Sequence, residues 1–334
     1  MKMRTTWLAV LLALAMIVAA CGEDDGGGGA VGDGAFTELT VATEWPFPDP
    51  LWIPFLAAQD QGFYEQNGLD VTVQPPPDNS TTMKMLAGGQ AQVGLSAITD
   101  VVFGAAEGLP VLSVANMSRS NNWGLFSLDE QPIEVSALAG KTIGIYNDSW
   151  TAAMLPLMLE SGGLTMDDVQ TVAATTSVIP LLLGGKIDVA TEVTNLGGVE
   201  ITTSGGGEPQ VLLAPEAGAP DTPVWVYVAN ADFAGENPDV VTAWLEATKQ
   251  GAEWATENAE EAVALFEQLY PEVASAHEYN LEAWSATVPL LTKDGEFFTQ
   301  TDEQWTAFTQ ALVGADQLDE ALDPSEYYTN EYLP

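Results

Sequence analysis

Between residues 39 and 115 the apolar positions follow two rhythms in turn. Short runs with a period near two, at 39–43, 70–74, 92–95 and 110–115, predict β-strands, and the stretches between them predict helices. Pro50 opens the first helix through Leu51, Phe55, Leu56 and Ala58, which runs out between Gly62 and Gly68. Ser80 is placed to cap a helix over 81–87 closed by Gly88 and Gly89. A further helix starts at Thr99 or Asp100 and ends at Gly108. Alternation with short connections implies a largely parallel sheet with crossover helices. The pattern then repeats, with strands at 123–128, 141–146, 169–173, 187–191 and 211–214 and helices at 149–161, 178–183 and 197–204. Two such sets joined at 117–122 predict two α/β lobes. A β-prone run at 224–228 returns the chain to the first lobe, and amphipathic helices at 238–258, 260–269 and 302–313 cover it. Trp244, Trp254, Trp284 and Trp305 in this region read as core.

The start of the chain departs from this pattern. Lys2 and Arg4 precede an apolar run at 7–18, whose 12 residues are too few to span a bilayer. The run ends in Val18-Ala19-Ala20-Cys21-Gly22, which resembles a bacterial lipoprotein signal. Residues 1–20 are then a signal peptide and Cys21 is the lipidation site that anchors the protein to the membrane. Residues 21–35, with Glu23, Asp24, Asp25 and four glycines at 26–29, read as a solvated tether. The expected location is extracytoplasmic, on the outer face of the cell membrane or in the periplasm.

Charge narrows the possible partners. The 334 residues include 48 Asp plus Glu against 8 Lys plus Arg, a formal charge of −40, which repels nucleic acid and anionic membrane surfaces. A hydrophobic content of 46%, with 10 Trp, excludes a disordered acidic tail and suits about two domains. The acids are spread over both lobes and the covering helices, as a solvated shell suited to a saline exterior. A single Cys excludes an intramolecular disulfide and a Cys-based zinc cluster, and His277 alone cannot make a His-rich metal site. No cofactor or metal is expected.

Five stretches then stand in a telling order. They are Phe55-Leu56-Ala57-Ala58-Gln59-Asp60-Gln61-Gly62-Phe63-Tyr64, Gly68-Leu69-Asp70-Val71, Leu86-Ala87-Gly88-Gly89-Gln90-Ala91-Gln92-Val93-Gly94, Leu138-Ala139-Gly140-Lys141-Thr142-Ile143-Gly144-Ile145 and Gly184-Gly185-Lys186-Ile187-Asp188-Val189-Ala190. Together they resemble the substrate-binding proteins of ABC importers, in the group that binds thiamine-pyrimidine precursors, riboflavin, nitrate, taurine and alkanesulfonates. The resemblance covers nearly all of 36–300. It implies the type II periplasmic-binding-protein fold, α/β and two-lobed, with a hinge crossed twice near 119–122 and 222–223. Lobe 1 would comprise 36–120 plus 224–334, and lobe 2 would comprise 121–223. The implied partners are a small-molecule ligand and an ABC permease with its ATPase, and the implied state is a monomer.

The resemblance also implies a cleft at strand C-termini between the lobes, where open α/β sheets bind ligands in general. In lobe 1 the candidates are Glu44, Trp45 and Phe47 after the first strand, Ser80, and Ser96 and Thr99 after the third. In lobe 2 they are Tyr146, Asp148, Ser149 and Trp150, with Glu192 and Asn195. The serines are equally good helix caps, Trp45 and Tyr146 could be interlobe packing, and Glu192 could serve a hinge.

An anion needs cations or free helix N–H groups, yet Lys141 and Lys186 sit at strand starts away from the cleft. Aromatic faces beside carboxylates instead suit a planar heteroaromatic with amino or ring N–H groups. A thiamine-pyrimidine precursor comes first, riboflavin second, and a sulfonate, taurine or nitrate third. Enzyme readings fit less well. Relatives of this fold that make the thiamine pyrimidine carry a cysteine-rich cluster and an active histidine, which this chain lacks. The stretch Ala139-Gly140-Lys141-Thr142 looks like the end of a nucleotide loop but lacks its first glycine, with Val135 and Ser136 where such a loop would start.

Overall fold

The computed structural model describes residues 36–272, 276–293 and 296–334. The signal segment, Cys21 and the tether lie outside the described residues.

Two five-stranded sheets organise the body. The first is built from β1 (Thr37–Ala42), β2 (Leu69–Gln74), β3 (Val93–Ala97), β4 (Val111–Asn116) and β10 (Trp225–Asn230), in the order β2-β1-β3-β10-β4. The second is built from β5 (Trp123–Ser127), β6 (Thr142–Tyr146), β7 (Gln170–Ala174), β8 (Val189–Val193) and β9 (Gln210–Leu213), in the order β7-β6-β8-β5-β9. The chain crosses between them twice, from β4 to β5 and from β9 back to β10.

Each sheet departs from the parallel expectation in the same way. β10 is antiparallel to β3 and β4, and β5 is antiparallel to β8 and β9. Both strands receive the chain from the other sheet, so they enter from the cleft end and run against their neighbours. The remaining pairs, β1 with β2 and β3, and β6 with β7 and β8, are parallel. The cleft end of each sheet therefore carries the C-termini of its parallel strands and the N-terminus of its returning strand. Gly94 serves this geometry, since a Cβ there would press on the Ala42 carbonyl of β1 at 2.5 Å.

The helices are α1 (Ile53–Asp60), α2 (Phe63–Gln66), α3 (Thr82–Ala87), α4 (Ile98–Ala106), α5 (Ser149–Ser161), α6 (Ile179–Leu183) and α7 (Val199–Thr203). The C-terminal region adds α8 (Ala231–Glu236), α9 (Pro238–Glu257), α10 (Ala259–Leu269), α11 (His277–Leu291) and α12 (Asp302–Gly314). α9 buries Val241, Trp244, Leu245 and Ala252, and Trp244 meets Tyr227 of β10 edge-on at 5.5 Å. Each such buried side chain contributes about 1.5–3 kcal/mol by leaving water. Trp284 and Trp305 are fully buried and Trp254 partly so, in keeping with a core role.

Two local expectations fail. The helix over 81–87 begins at Thr82 with Thr81 as its N-cap residue, and Ser80 is exposed, its N–H and hydroxyl both donating to the Asp78 carboxylate. Asp78 closes the turn before Ser80 can act as a cap. The second is α11, which the apolar spacing does not announce because Pro289 lies within it.

Candidate functional site

Seven of the candidate residues surround one cavity: Glu44, Trp45, Phe47, Tyr146, Asp148, Trp150 and Glu192. Its empty volume is about 690 Å³ counting the open mouth. Both sheets contribute. Glu44 to Asp49 follow β1, Tyr146 ends β6 with Asp148 and Trp150 just beyond it, and Glu192 is the next-to-last residue of β8. Asp49, Asn79, Trp123 and Trp225 also line the cavity and were not among the candidates. Asp49 was legible as an Asp before a helix-opening Pro, and Trp123 and Trp225 as the first residues of strands that come from the hinge.

Two carboxylates sit on helix starts. Asp49 accepts from the Leu51 N–H at 2.8 Å and so caps the turn Pro50–Trp52 that leads into α1. Asp148 accepts from the Thr151 N–H at 2.6 Å and from its hydroxyl at 3.1 Å, capping α5. These are the positions where a free anion would find unsatisfied N–H groups. Here the protein's own carboxylates occupy both.

The other two carboxylates differ in their satisfaction. Glu192 accepts from the Tyr146 hydroxyl at 2.5 Å and from the Val193 N–H at 2.7 Å. Gly197 makes room for it, because a Cβ at that position would overlap the Glu192 side chain. Glu44 is 6% exposed, and its Oε2 has no hydrogen-bond partner among the described residues. The Trp150 Nε1–H is likewise buried without an acceptor, while its ring stacks on Phe308 of α12 at 5.9 Å. Trp45 and Trp225 lie 5.8 Å apart and tilted, forming one aromatic wall.

Burial of so many acids shifts their proton affinity. Glu44 is pushed well above the ordinary carboxylate range, first by burial and then by the facing charges of Asp100 and Asp148. Burial raises Asp49 to about 7 against the opposing Leu51 N–H, and Glu192 to about 7 against the Tyr146 hydroxyl. Asp100, behind Glu44 on α4, is raised to about 6 by burial, partly offset by the Ser149 and Ser96 hydroxyls. Asp148 is raised by burial despite its capping bonds. Among the described residues no Lys, Arg or His lines the cavity, and no cluster could hold a metal ion. Lys141 is instead paired with Asp188 at 3.6 Å.

The remaining candidates support the cleft rather than line it. The Ser96 hydroxyl donates to Asp100 at 3.0 Å. Thr99 of α4 and Ser149 of α5 share a 2.6 Å hydrogen bond between the lobes. Asn195 is fully buried, donates to Thr287 of α11 at 2.8 Å and accepts from Asn122 at 2.7 Å. The two hinge crossings are tied together where Asn121 donates to the Pro220 carbonyl and to the Asp221 carboxylate, both at 3.0 Å. Ser80 stands apart from the cavity, and Asn79 takes its place at the wall. His277 is exposed on α11 between Glu260 and Glu267.

Two sheets joined by two crossings, with an open cavity between their cleft ends, define the two-lobed periplasmic-binding-protein fold. The alkanesulfonate-binding protein of Xanthomonas axonopodis pv. citri bound to MOPS superposes with a TM-score of 0.67 at 13% identity, over 88% of this chain and 99% of that one. The chain belongs to the NMT1/THI5-like family, whose profile matches residues 49–262. It is 23% identical to a formylaminopyrimidine-binding protein of Halalkalibacterium halodurans, over 97% of each chain. It is also 23% identical to a 4-amino-5-hydroxymethyl-2-methylpyrimidine phosphate synthase of Legionella pneumophila, over 89% of this chain and 93% of the relative. Among the described residues no helix is long and apolar enough to cross a membrane.

Proposed function

We propose that the protein is the extracytoplasmic solute-binding component of an ABC importer, anchored through lipid on Cys21, and that it captures a small planar aminated heteroaromatic of the thiamine-pyrimidine-precursor kind. The ligand lands on one lobe, and closure about the crossings at 117–122 and 214–224 brings the other lobe onto it. Residues 36–120 with 224–334, and 121–223, move as the two rigid parts. The closed lobes then present a surface to the permease.

The observation that carries this reading is the chemistry of the cleft wall. Aromatic faces lie beside carboxylates, and two of the helix starts at the cleft are capped by Asp49 and Asp148. An amino group on a flat ring satisfies Glu44 Oε2, and a ring nitrogen satisfies the Trp150 N–H. The same wall disfavours a sulfonate or nitrate, whose charge would face four carboxylates and no basic side chain. Riboflavin shares the flat ring and remains the second ligand of choice.

The names of the relatives divide between binding and synthesis. Capture is favoured over synthesis because the only histidine is exposed on α11, away from the cavity walls. A thermal-shift panel tests the assignment. Stabilisation by 4-amino-5-hydroxymethyl-2-methylpyrimidine or formylaminopyrimidine supports it, and a shift with taurine, an alkanesulfonate or nitrate alone overturns it.

A further inference from the structure

We propose that the cleft takes its ligand as an organic cation, a positively charged flat ring stacked between indoles with its charge against the carboxylates. This rests on the cleft being the ligand site, and it adds a charge requirement to the reading above. Four indoles, those of Trp45, Trp123, Trp150 and Trp225, line the cavity together with Phe47 and Tyr146. An aromatic enclosure of this kind attracts a cation through the negative faces of its rings, and more so when the cation is desolvated. Four carboxylates line the same cavity, two from each side of the cleft: Glu44 and Asp49 after β1, Asp148 and Glu192 after β6 and in β8. No basic side chain is among the lining residues. Glu44 Oε2, buried and without a partner, marks where the positive charge belongs.

Charge balance makes the cation part of closure. Bringing the lobes together drives Asp148 and Glu192 toward Glu44 and Asp49, and no basic side chain among the lining residues balances their charge. The cleft then has two ways to close: its acids hold protons, or a cation replaces those protons. A phosphate ester of the same ring is rejected, because the wall offers it four carboxylates and no basic side chain, and aspartates cap two of the helix starts beside it.

The proton linkage gives the proposal a signature. The groups that face the cavity or stand directly behind it are Glu44, Asp49 and Asp100 on one side, and Tyr146, Asp148 and Glu192 on the other. Behind these, Glu200 of α7 raises Glu192, and Tyr279 of α11 feels Asp49, Glu192 and Glu200. The tyrosines stay protonated throughout, because burial and the neighbouring acids push them upward. Asp49 and Glu192 hold protons up to about pH 7, so a cation that arrives must release them. A permanently charged ring should therefore bind more tightly as pH rises. A ligand held by protonated carboxyls should bind less tightly.

Calorimetry on the full chain tests this with four probes: 4-amino-5-hydroxymethyl-2-methylpyrimidine, an N-methylated aminopyrimidinium, the pyrimidine phosphate ester and choline. The expected result is binding of the pyrimidinium with affinity about tenfold higher at pH 8 than at pH 6, with proton release read from the buffer dependence of the heat. The phosphate ester should bind at least about 100-fold more weakly than the free ring, as for an unpaired buried charge. If the neutral pyrimidine binds while the pyrimidinium does not, or binds no better at pH 8, the cation proposal is overturned and the pyrimidine reading stands. Binding of choline with no response to any pyrimidine would support the cation site and sink the pyrimidine reading. Failure of all four probes, with binding of an alkanesulfonate, overturns both. Glu44→Gln and Glu192→Gln, each checked by its melting curve, should weaken pyrimidinium binding, and retention of full affinity in both variants would also overturn the proposal.

Discussion

Replacing Glu44 by Gln should make the ligand-free protein more stable while impairing ligand capture. The carboxylate is buried, its Oε2 has no hydrogen-bond partner, and Asp100 and Asp148 face it. Leaving a buried polar group unsatisfied costs about 1–3 kcal/mol, more when it is charged. An isosteric amide keeps the volume and still leaves a polar atom unpartnered, so its gain, of about the same size, comes from removing the buried charge and its repulsion by Asp100 and Asp148. Converted at the low end for a large domain, the gain amounts to a rise of about 2–6 °C in Tm at pH 8. The gain must depend on pH. Burial raises the pKa of Glu44 in the folded chain, so the wild type is penalised only once the unfolded chain has lost its proton, above about pH 4.3. The penalty grows with pH up to the folded pKa and then stays constant, so most of the gain should be gone at pH 5. Differential scanning calorimetry of both proteins at pH 5 and pH 8 measures it. An equal or lower Tm for Glu44→Gln at pH 8, or the same increment at both pH values, would refute the electrostatic account of the cleft.

Three further outcomes follow from the same geometry. The ligand-free wild type should lose stability from about pH 4 to pH 7 and level off above, because Asp49 and Glu192 hold protons when folded that the unfolded chain has released; denaturant titrations that show stability rising over this range would contradict it. Gly197→Ala should destabilise the protein by about 1–3 kcal/mol and weaken ligand binding, since the new methyl displaces Glu192 from Tyr146; a variant with unchanged Tm and affinity would show that Glu192 is free to move. Thr99→Val should leave the fold intact but lower ligand affinity by up to about tenfold, because it deletes the hydrogen bond to Ser149 that joins the lobes; affinity equal to wild type would place that bond outside the closing mechanism.

The order of strands and helices was legible because period-two runs and glycine-closed helices rarely imitate one another. Strands 39–43 and 110–115 recur as β1 and β4 shifted by one or two residues, and the helix at 149–161 recurs as α5. Strand direction was not legible. β5 and β10 have the same apolar alternation as their parallel neighbours, and only the path of the chain between sheets reverses them. Aromatic and acidic residues at strand ends pointed to the cavity, since a strand that stops beside Trp45-Pro46-Phe47 or Tyr146-Asn147-Asp148 leaves those side chains at the cleft end. Hydroxyl and amide residues were harder to assign. Thr99, Ser149 and Asn195 find partners far apart in sequence, such as Ser149 for Thr99 and Thr287 for Asn195, and local spacing carries no trace of those pairings; Ser96 instead donates to Asp100, four residues on. Asp49 is harder to read as a cap, because the helix it precedes begins with the short turn Pro50–Trp52 and its own apolar spacing starts only at Leu51.

An acidic aromatic cleft should capture an aminated flat ring and not an anion. Four tryptophans line that cavity, so titrating intrinsic fluorescence with 4-amino-5-hydroxymethyl-2-methylpyrimidine, alongside an alkanesulfonate, reads it directly. The account predicts saturable quenching by the pyrimidine, weakened in Glu44→Gln, and no response to the sulfonate. A saturable response to the sulfonate with none to the pyrimidine would contradict it.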